Sequence, residues 1–151
     1  MMLLKRTPEQ RRYDMQVPAS EANSLADIIK TPSGKNKIMI LSRKIDIMAY
    51  KITKDKFNTD ISGFTHILDS SSVKHALKKH SKDKIPLTAS HLGLIKDILG
   101  RPDKIICSRK NRRGLNTLVY TKRFNNKRLV YVEEVRPGRH QLAMNTMYWA
   151  S

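Results

Sequence analysis

After Pro102 the chain runs through "DKIICSRK", "NTLVYTKRF", "KRLVYVEEVR" and "QLAMNTMYWA", four short runs rich in β-branched and aromatic residues. They are joined only by "NRRGL", "NNK" and "PGRH". Connectors this short, built from Gly, Asn and Pro, leave no length for a crossover helix, so each run must turn back beside the previous one. The second half of the chain is therefore expected to be a four-stranded antiparallel meander. Any helices must come from the residues before it.

Those residues supply three helical patterns. In "ASEANSLADIIK" Leu25, Ile28 and Ile29 fall at helical spacing after Ser20, a residue that can cap free backbone donors, and "TPSGK" stops the run. In "DSSSVKHALKKH" Val73, Ala76, Leu77 and His80 recur at i, i+3, i+4 and i+7 behind a cluster of capping residues. After the loop "SKDKIP", Thr88 can cap a third helix whose stripe is Leu92, Ile95 and Leu99, ended by Gly100 and Pro102. "NKIMIL" and "IDIMAYKI" are short apolar runs that read as one or two strands, and Met1 to about Pro18 is polar and aperiodic, an arm. The expected fold class is α+β, with N-terminal helices packed on a C-terminal four-stranded antiparallel sheet. At 151 residues the chain suits one domain with one core.

Thirty Lys and Arg against thirteen Asp and Glu give a formal charge of +17, spread along the whole chain. Such an excess repels itself in the folded state and calls for a polyanionic partner, nucleic acid above all, which cations bind by releasing condensed counterions. The lone Cys107 excludes an intramolecular disulfide and a multi-cysteine zinc motif. No apolar run approaches the length of a signal peptide core or a membrane span, so no membrane anchor is expected and the chain is read as acting in a cytoplasm.

Two of the five histidines, His75 and His80, share the second helix. A helical zinc pair sits four residues apart, because about 400° of rotation returns to one face. A separation of five turns them apart by roughly 140°, so a regular helix cannot aim both at one metal ion. His80 lies on the apolar stripe and should point toward the sheet, whereas His75 lies with Lys78 and Lys79 on the polar side. On the last run Thr146 and Tyr148 are two apart and share a sheet face, as do Tyr120 and Lys122 on the second. Were that face to border His80, one pocket would hold an imidazole, a lysine, a hydroxyl and a phenol. Imidazole moves protons near neutral pH, Lys and hydroxyl donors stabilise charge on a pentacoordinate phosphate, and Tyr can stack on a splayed base. The same residues taken singly are ordinary strand and surface residues. His66 and His140 are weaker candidates, and Arg112, Arg113, Arg136 and Arg139 read as phosphate-holding charges in turns.

In order, "SSVKHALKKH", "PLTASHLGLIKDILGRPDKII", "LVYTKRFNNKRLVYVEEV" and "NTMYWA" resemble the signature of the phage-associated nuclease domains grouped with barnase, EndoU, the tRNA-cleaving colicins and RelE. The resemblance covers about residues 60 to 150, and Ser81 stands where the family often has Gly after the second histidine. It implies a helix-plus-curved-sheet fold over residues 46–151, with residues 1–45 a basic arm and helical segment. It further implies a toxin-type endoribonuclease, with no cofactor and no metal, in which a ribose 2′-hydroxyl attacks the adjacent phosphate to leave a cyclic phosphate. Carried over by position, the catalytic set is His75, His80, Lys122, Thr146 and Tyr148; Lys78, Lys79 and the four arginines are read from the residues alone, as RNA-binding cations or as solvated surface. The family's toxin members imply tRNA as target, action in a bacterial cytoplasm, delivery as the C-terminal part of a larger secreted or cell-surface toxin, and an acidic immunity protein or antitoxin as partner. The competing reading is a non-catalytic basic module that binds nucleic acid.

Overall fold

The computed structural model describes residues 20–22 and 24–150. The expected N-terminal arm lies outside the described residues. Within them a single mixed sheet of seven strands runs in the order β1-β2-β3-β7-β6-β5-β4. Its last four strands, β4 (Lys104–Ser108), β5 (Thr117–Phe124), β6 (Lys127–Arg136) and β7 (Gln141–Ala150), form the antiparallel meander that the short connectors demand.

The sheet does not stop there. A hairpin-like pair, β2 (Lys37–Ser42) and β3 (Thr65–Asp69), joins it through a parallel pairing of β3 with β7, and the two-residue β1 (Ser20–Glu21) adds a parallel edge to β2. The expectation of four strands is thus corrected to seven. "NKIMIL" does form a strand, but "IDIMAYKI" becomes helix α2 (Ile47–Phe57), because the Asp46 carboxylate accepts from the Met48 and Ala49 amides and starts a helix. That cap outweighs the strand preference of the isoleucines, and α2 then packs against β4. "THILD" is the mostly buried strand β3.

Helix α1 (Leu25–Lys30) forms as its spacing requires, capped by Ser24 rather than Ser20. The third helical pattern divides into a 3₁₀ segment (Ala89–Leu94) and α4 (Ile95–Gly100), with Leu92, Ile95, Ile98 and Leu99 all buried. Helix α3 (Ser70–Lys79) follows β3 without a connector and packs along β7. Its cap, Asp69, accepts from the Ser72 amide at 2.7 Å and from Arg136 Nη2 at 3.0 Å, which ties the helix start to β6. No helix among the described residues is long and apolar enough to cross a membrane.

Pairing register assigns the two faces of the meander, since residues directly opposite each other share a face. One face carries Leu118, Tyr120, Leu129, Tyr131, Met147 and Trp149, all buried and part of the helix-covered core. The other carries Val119, Thr121, Arg123, Arg128, Val130, Val132, Thr146 and Tyr148, most of them at least partly exposed. A bulge fixes this division. Val132 pairs with Thr146 and Glu133 with Met144, which leaves Asn145 as an extra residue in β7. Met144 and Met147 both reach the core because of that extra residue, and Thr146 and Tyr148 turn to the open face.

Candidate active site

Helix α3 carries His80 to the open-face end of β7. His80 is the C-cap residue, and its ring stacks on Tyr148 with centroids 5.1 Å apart and planes at 27°. The helix ends here without a glycine, because the Ser81 hydroxyl donates to the Lys78 carbonyl and satisfies one of the terminal acceptors. Downstream, the Leu87 amide donates to the His80 carbonyl at 3.1 Å, folding the intervening loop back onto the histidine.

That loop brings Asp83, whose Oδ2 lies 2.7 Å from His80 Nδ1. An ionised carboxylate only accepts, so Nδ1 carries the proton and the lone pair of the neutral ring resides on Nε2. Nε2 is buried and makes no hydrogen bond, and neither does the buried Thr146 Oγ1. Buried polar atoms almost always find partners, so two such atoms beside one stacked pair mark a place shaped for something else. Asp83 is the residue that sequence reasoning missed. Its only signal is an acidic side chain three residues after His80 in the otherwise basic "SKDKIP".

The remaining expected residues separate. His75 is exposed on α3. Lys122 sits opposite Leu129, which sits opposite Trp149, so it springs from the core face, away from Thr146 and Tyr148, and its Nζ donates to the Arg101 carbonyl at 2.6 Å. Tyr120 shares that face and is fully buried beside Tyr131. The pocket of imidazole, lysine, hydroxyl and phenol is therefore corrected: register places Thr146 and Tyr148 on one side of the sheet and Tyr120 and Lys122 on the other.

Of the expected phosphate-holding cations, Lys78, Lys79, Arg112 and Arg139 are exposed. Arg136 is not available to a phosphate. It is 1% exposed and donates to Asp69 and, through Nε at 2.7 Å, to Glu134 Oε2. Arg113 donates to Glu134 Oε1 at 2.9 Å, and Asn111 bonds both Glu134 and the bulge residue Asn145. Burial drives the Glu134 carboxyl up to about 7 against the pull of Arg113, and lowers Arg136 to about 9. This network braces the helix start and the bulge, the two features that aim the site.

The other histidines are structural. His66 Nδ1 lies 2.7 Å from Glu133 Oε2 inside the core. His91 Nδ1 accepts from the Thr88 amide and from Trp149 Nε1, and His140 takes a left-handed turn conformation against Phe64. Among the described residues no three His, Cys, Asp or Glu side chains gather as a metal site.

An imidazole with one nitrogen held by a carboxylate stacks on a phenol, with a hydroxyl on the same sheet face, a set of groups able to accept and donate protons. Residues 45–151 match the family model described as phage-Barnase-EndoU-ColicinE5/D-RelE like nuclease, and the chain belongs to that nuclease family. No curated protein and no solved structure matches it.

Proposed function

We propose that the protein is a metal-independent endoribonuclease toxin whose reactive centre is His80, Thr146 and Tyr148. The observation that carries this reading is the His80 ring, fixed by Asp83 on Nδ1, stacked on Tyr148, and left with an unpartnered Nε2. The ribose 2′-hydroxyl gives up its proton and its oxygen attacks the adjacent phosphorus. The bond from phosphorus to the 5′-oxygen breaks, the leaving oxygen takes a proton, and a 2′,3′-cyclic phosphate and a 5′-hydroxyl result. His80 performs one of the two proton transfers and the Tyr148 phenol the other, while Thr146 Oγ1 donates to a non-bridging oxygen as charge accumulates there. His75 and Lys122 stand outside this centre.

The catalytic unit spans residues 46–151, and β1, α1 and β2 extend its sheet and helices on the N-terminal side. The +17 charge favours a polyanion, and tRNA is the target we assign on the resemblance to the family's toxin members. A chain with such a charge and activity, lethal in a bacterial cytoplasm, requires an acidic immunity protein or antitoxin, and delivery as the C-terminal part of a larger toxin suits its size.

The test is incubation of the purified protein with total RNA in EDTA, wild type beside His80→Ala, Thr146→Ala and His75→Ala. Cleavage by the wild type that ends in cyclic phosphate and is lost with His80 and Thr146 is the expected result. Tight, salt-sensitive binding without cleavage would instead establish a basic binding module.

A further inference from the structure

The open sheet face extends beyond the His80–Tyr148 pair to a hollow of about 430 Å³ at the far side of the meander. Ile106, Val119 and Thr121 make its less polar floor and Lys104, Arg123 and Arg128 its charged walls; Asp103 and Lys122 also border it. The first six belong to the Thr146–Tyr148 face: Lys104 pairs with Thr121, Ile106 with Val119 and Arg123 with Arg128. One continuous row, Thr121, Val130 and Tyr148, leads across three strands from the hollow to the stacked histidine.

Two features of the hollow have no structural explanation. Arg123 and Arg128 stand directly opposite each other on adjacent strands, an arrangement of like charges that destabilises a sheet. Among the described residues neither has an ion pair, and the carboxylate in the lining, Asp103, accepts from the Arg123 backbone amide at 2.8 Å. Ile106 is 43% exposed at the centre of this charge. An apolar floor ringed by uncompensated cations complements one chemical class, a nucleotide whose base or ribose covers the floor while its phosphates meet the walls.

The geometry points to a second subsite here that holds the single-stranded substrate away from the cleaved bond, with Arg123, Arg128 and Lys104 on its phosphates and Ile106 beneath a base. It rests on the nucleic-acid reading of the His80 centre and deepens it. With strands about 4.8 Å apart, the hollow lies roughly 10–14 Å from Tyr148. At about 3.4 Å per stacked nucleotide that is three or four nucleotides, fewer where the strand is extended. The protein is thus expected to distinguish oligonucleotides by length.

The experiment is fluorescence anisotropy with 2′-O-methyl oligoribonucleotides of two and eight residues, which cannot undergo 2′-hydroxyl attack, across a salt series. The wild type should bind the longer strand far more tightly. Arg123→Ala/Arg128→Ala should erase most of that length advantage, weaken the eight-residue ligand about tenfold or more at low salt, and reduce the salt slope by about 1.4, at about 0.7 per lost phosphate contact. Ile106→Ala should also weaken the longer ligand but leave the salt slope unchanged. Because the arginine pair is strained without a ligand, the double variant should melt at or above the wild-type temperature, which separates lost binding from lost folding. An unchanged length advantage and salt slope would overturn the subsite. Length-dependent binding that depends on these residues in a protein that cleaves no RNA would keep the subsite and overturn the endoribonuclease reading instead.

Discussion

Among the described residues two histidine–carboxylate pairs have the same length and use the same ring atom. His66 Nδ1 meets Glu133 Oε2 at 2.7 Å with both side chains at 2% exposure or less; His80 Nδ1 meets Asp83 Oδ2 at 2.7 Å with the side chains 14% and 35% exposed. Distance therefore does not separate a structural pair from the one proposed to be reactive. Location does. Glu133 and His66 lie on the core face, where Tyr120 and Tyr131 surround them and no substrate can reach. His80 lies at the end of a helix, stacked on Tyr148, with its buried Nε2 making no hydrogen bond.

The comparison breaks most visibly under alanine substitution. Removing the His80 ring should reduce cleavage by about 10²–10⁴-fold, the contribution of a positioned proton-transfer group, with little change in melting temperature. Removing the His66 ring should do the reverse. It leaves Glu133 buried without its partner, at about 3–5 kcal/mol, or roughly 6–20 °C in a domain of this size. Cleavage assays and thermal melts on both variants decide the matter, and a large loss of cleavage in a fully folded His66→Ala protein would erase the distinction.

The buried charges should also give the fold, rather than the site, a characteristic pH dependence. Burial opposes the charged His66 ring, yet the Glu133 charge and hydrogen bond outweigh it and raise the His66 pKa, while burial raises Glu134 to about 7. A raised histidine pKa stabilises the fold below its unfolded value near 6.5 and the benefit is lost as pH rises through the folded value. A raised carboxyl pKa means the folded state holds a proton that the unfolded chain has released above about 4.5, so stability again falls as pH rises toward 7. Both signs agree. Denaturant melts should show stability falling by about 2–3 kcal/mol between pH 5 and pH 8. Glu134→Gln, which keeps the neutral shape, should flatten most of that slope.

A smaller effect tests the exposed pair alone. Asp83→Asn keeps the size of the side chain but removes the charge that fixes the Nδ1–H tautomer. A buried aspartate in the equivalent role of a serine protease triad is worth about 10⁴ in turnover. Asp83 is a third exposed and solvent competes for the ring, so a loss of about 10–100-fold is expected. The loss should fall on kcat rather than KM and should alter the pH–rate profile, which a merely structural residue would leave in place.

Much of this contrast was legible in the sequence and part was not, for identifiable reasons. The meander follows from connector length, and His80 on the buried-side stripe of α3 follows from helical spacing, but which strand face meets His80 is set by register and not by periodicity. The bulge at Asn145 was not legible, because nothing in "AMNTMY" distinguishes an extra residue from an ordinary one, and that residue decides which face Thr146 occupies. Arg136 looked like a surface cation in a turn. Its burial depends on Asp69, 67 positions away, a contact that no local pattern encodes. The α2 segment carries strand-like isoleucines but obeys the Asp46 cap.

His75 supplies the finest test of the comparison. It lies on α3, which His80 caps, yet it is exposed. If the reactive centre is organised by the Asp83–His80–Tyr148 contact, then His75→Ala removes only one polar group near the passing strand. Its stability effect should stay within about 0.5 kcal/mol, as for surface substitutions generally, and cleavage should fall less than about fivefold, through KM. If instead kcat falls as far as in His80→Ala, the second proton passes through His75 rather than the Tyr148 phenol, and the substrate must bend α3 or lie across its polar side to reach both rings, because five helical residues separate them by roughly 140°. Measuring kcat and KM separately for His75→Ala and Tyr148→Phe distinguishes the two arrangements, since only one of these substitutions can abolish proton transfer while the other merely weakens binding.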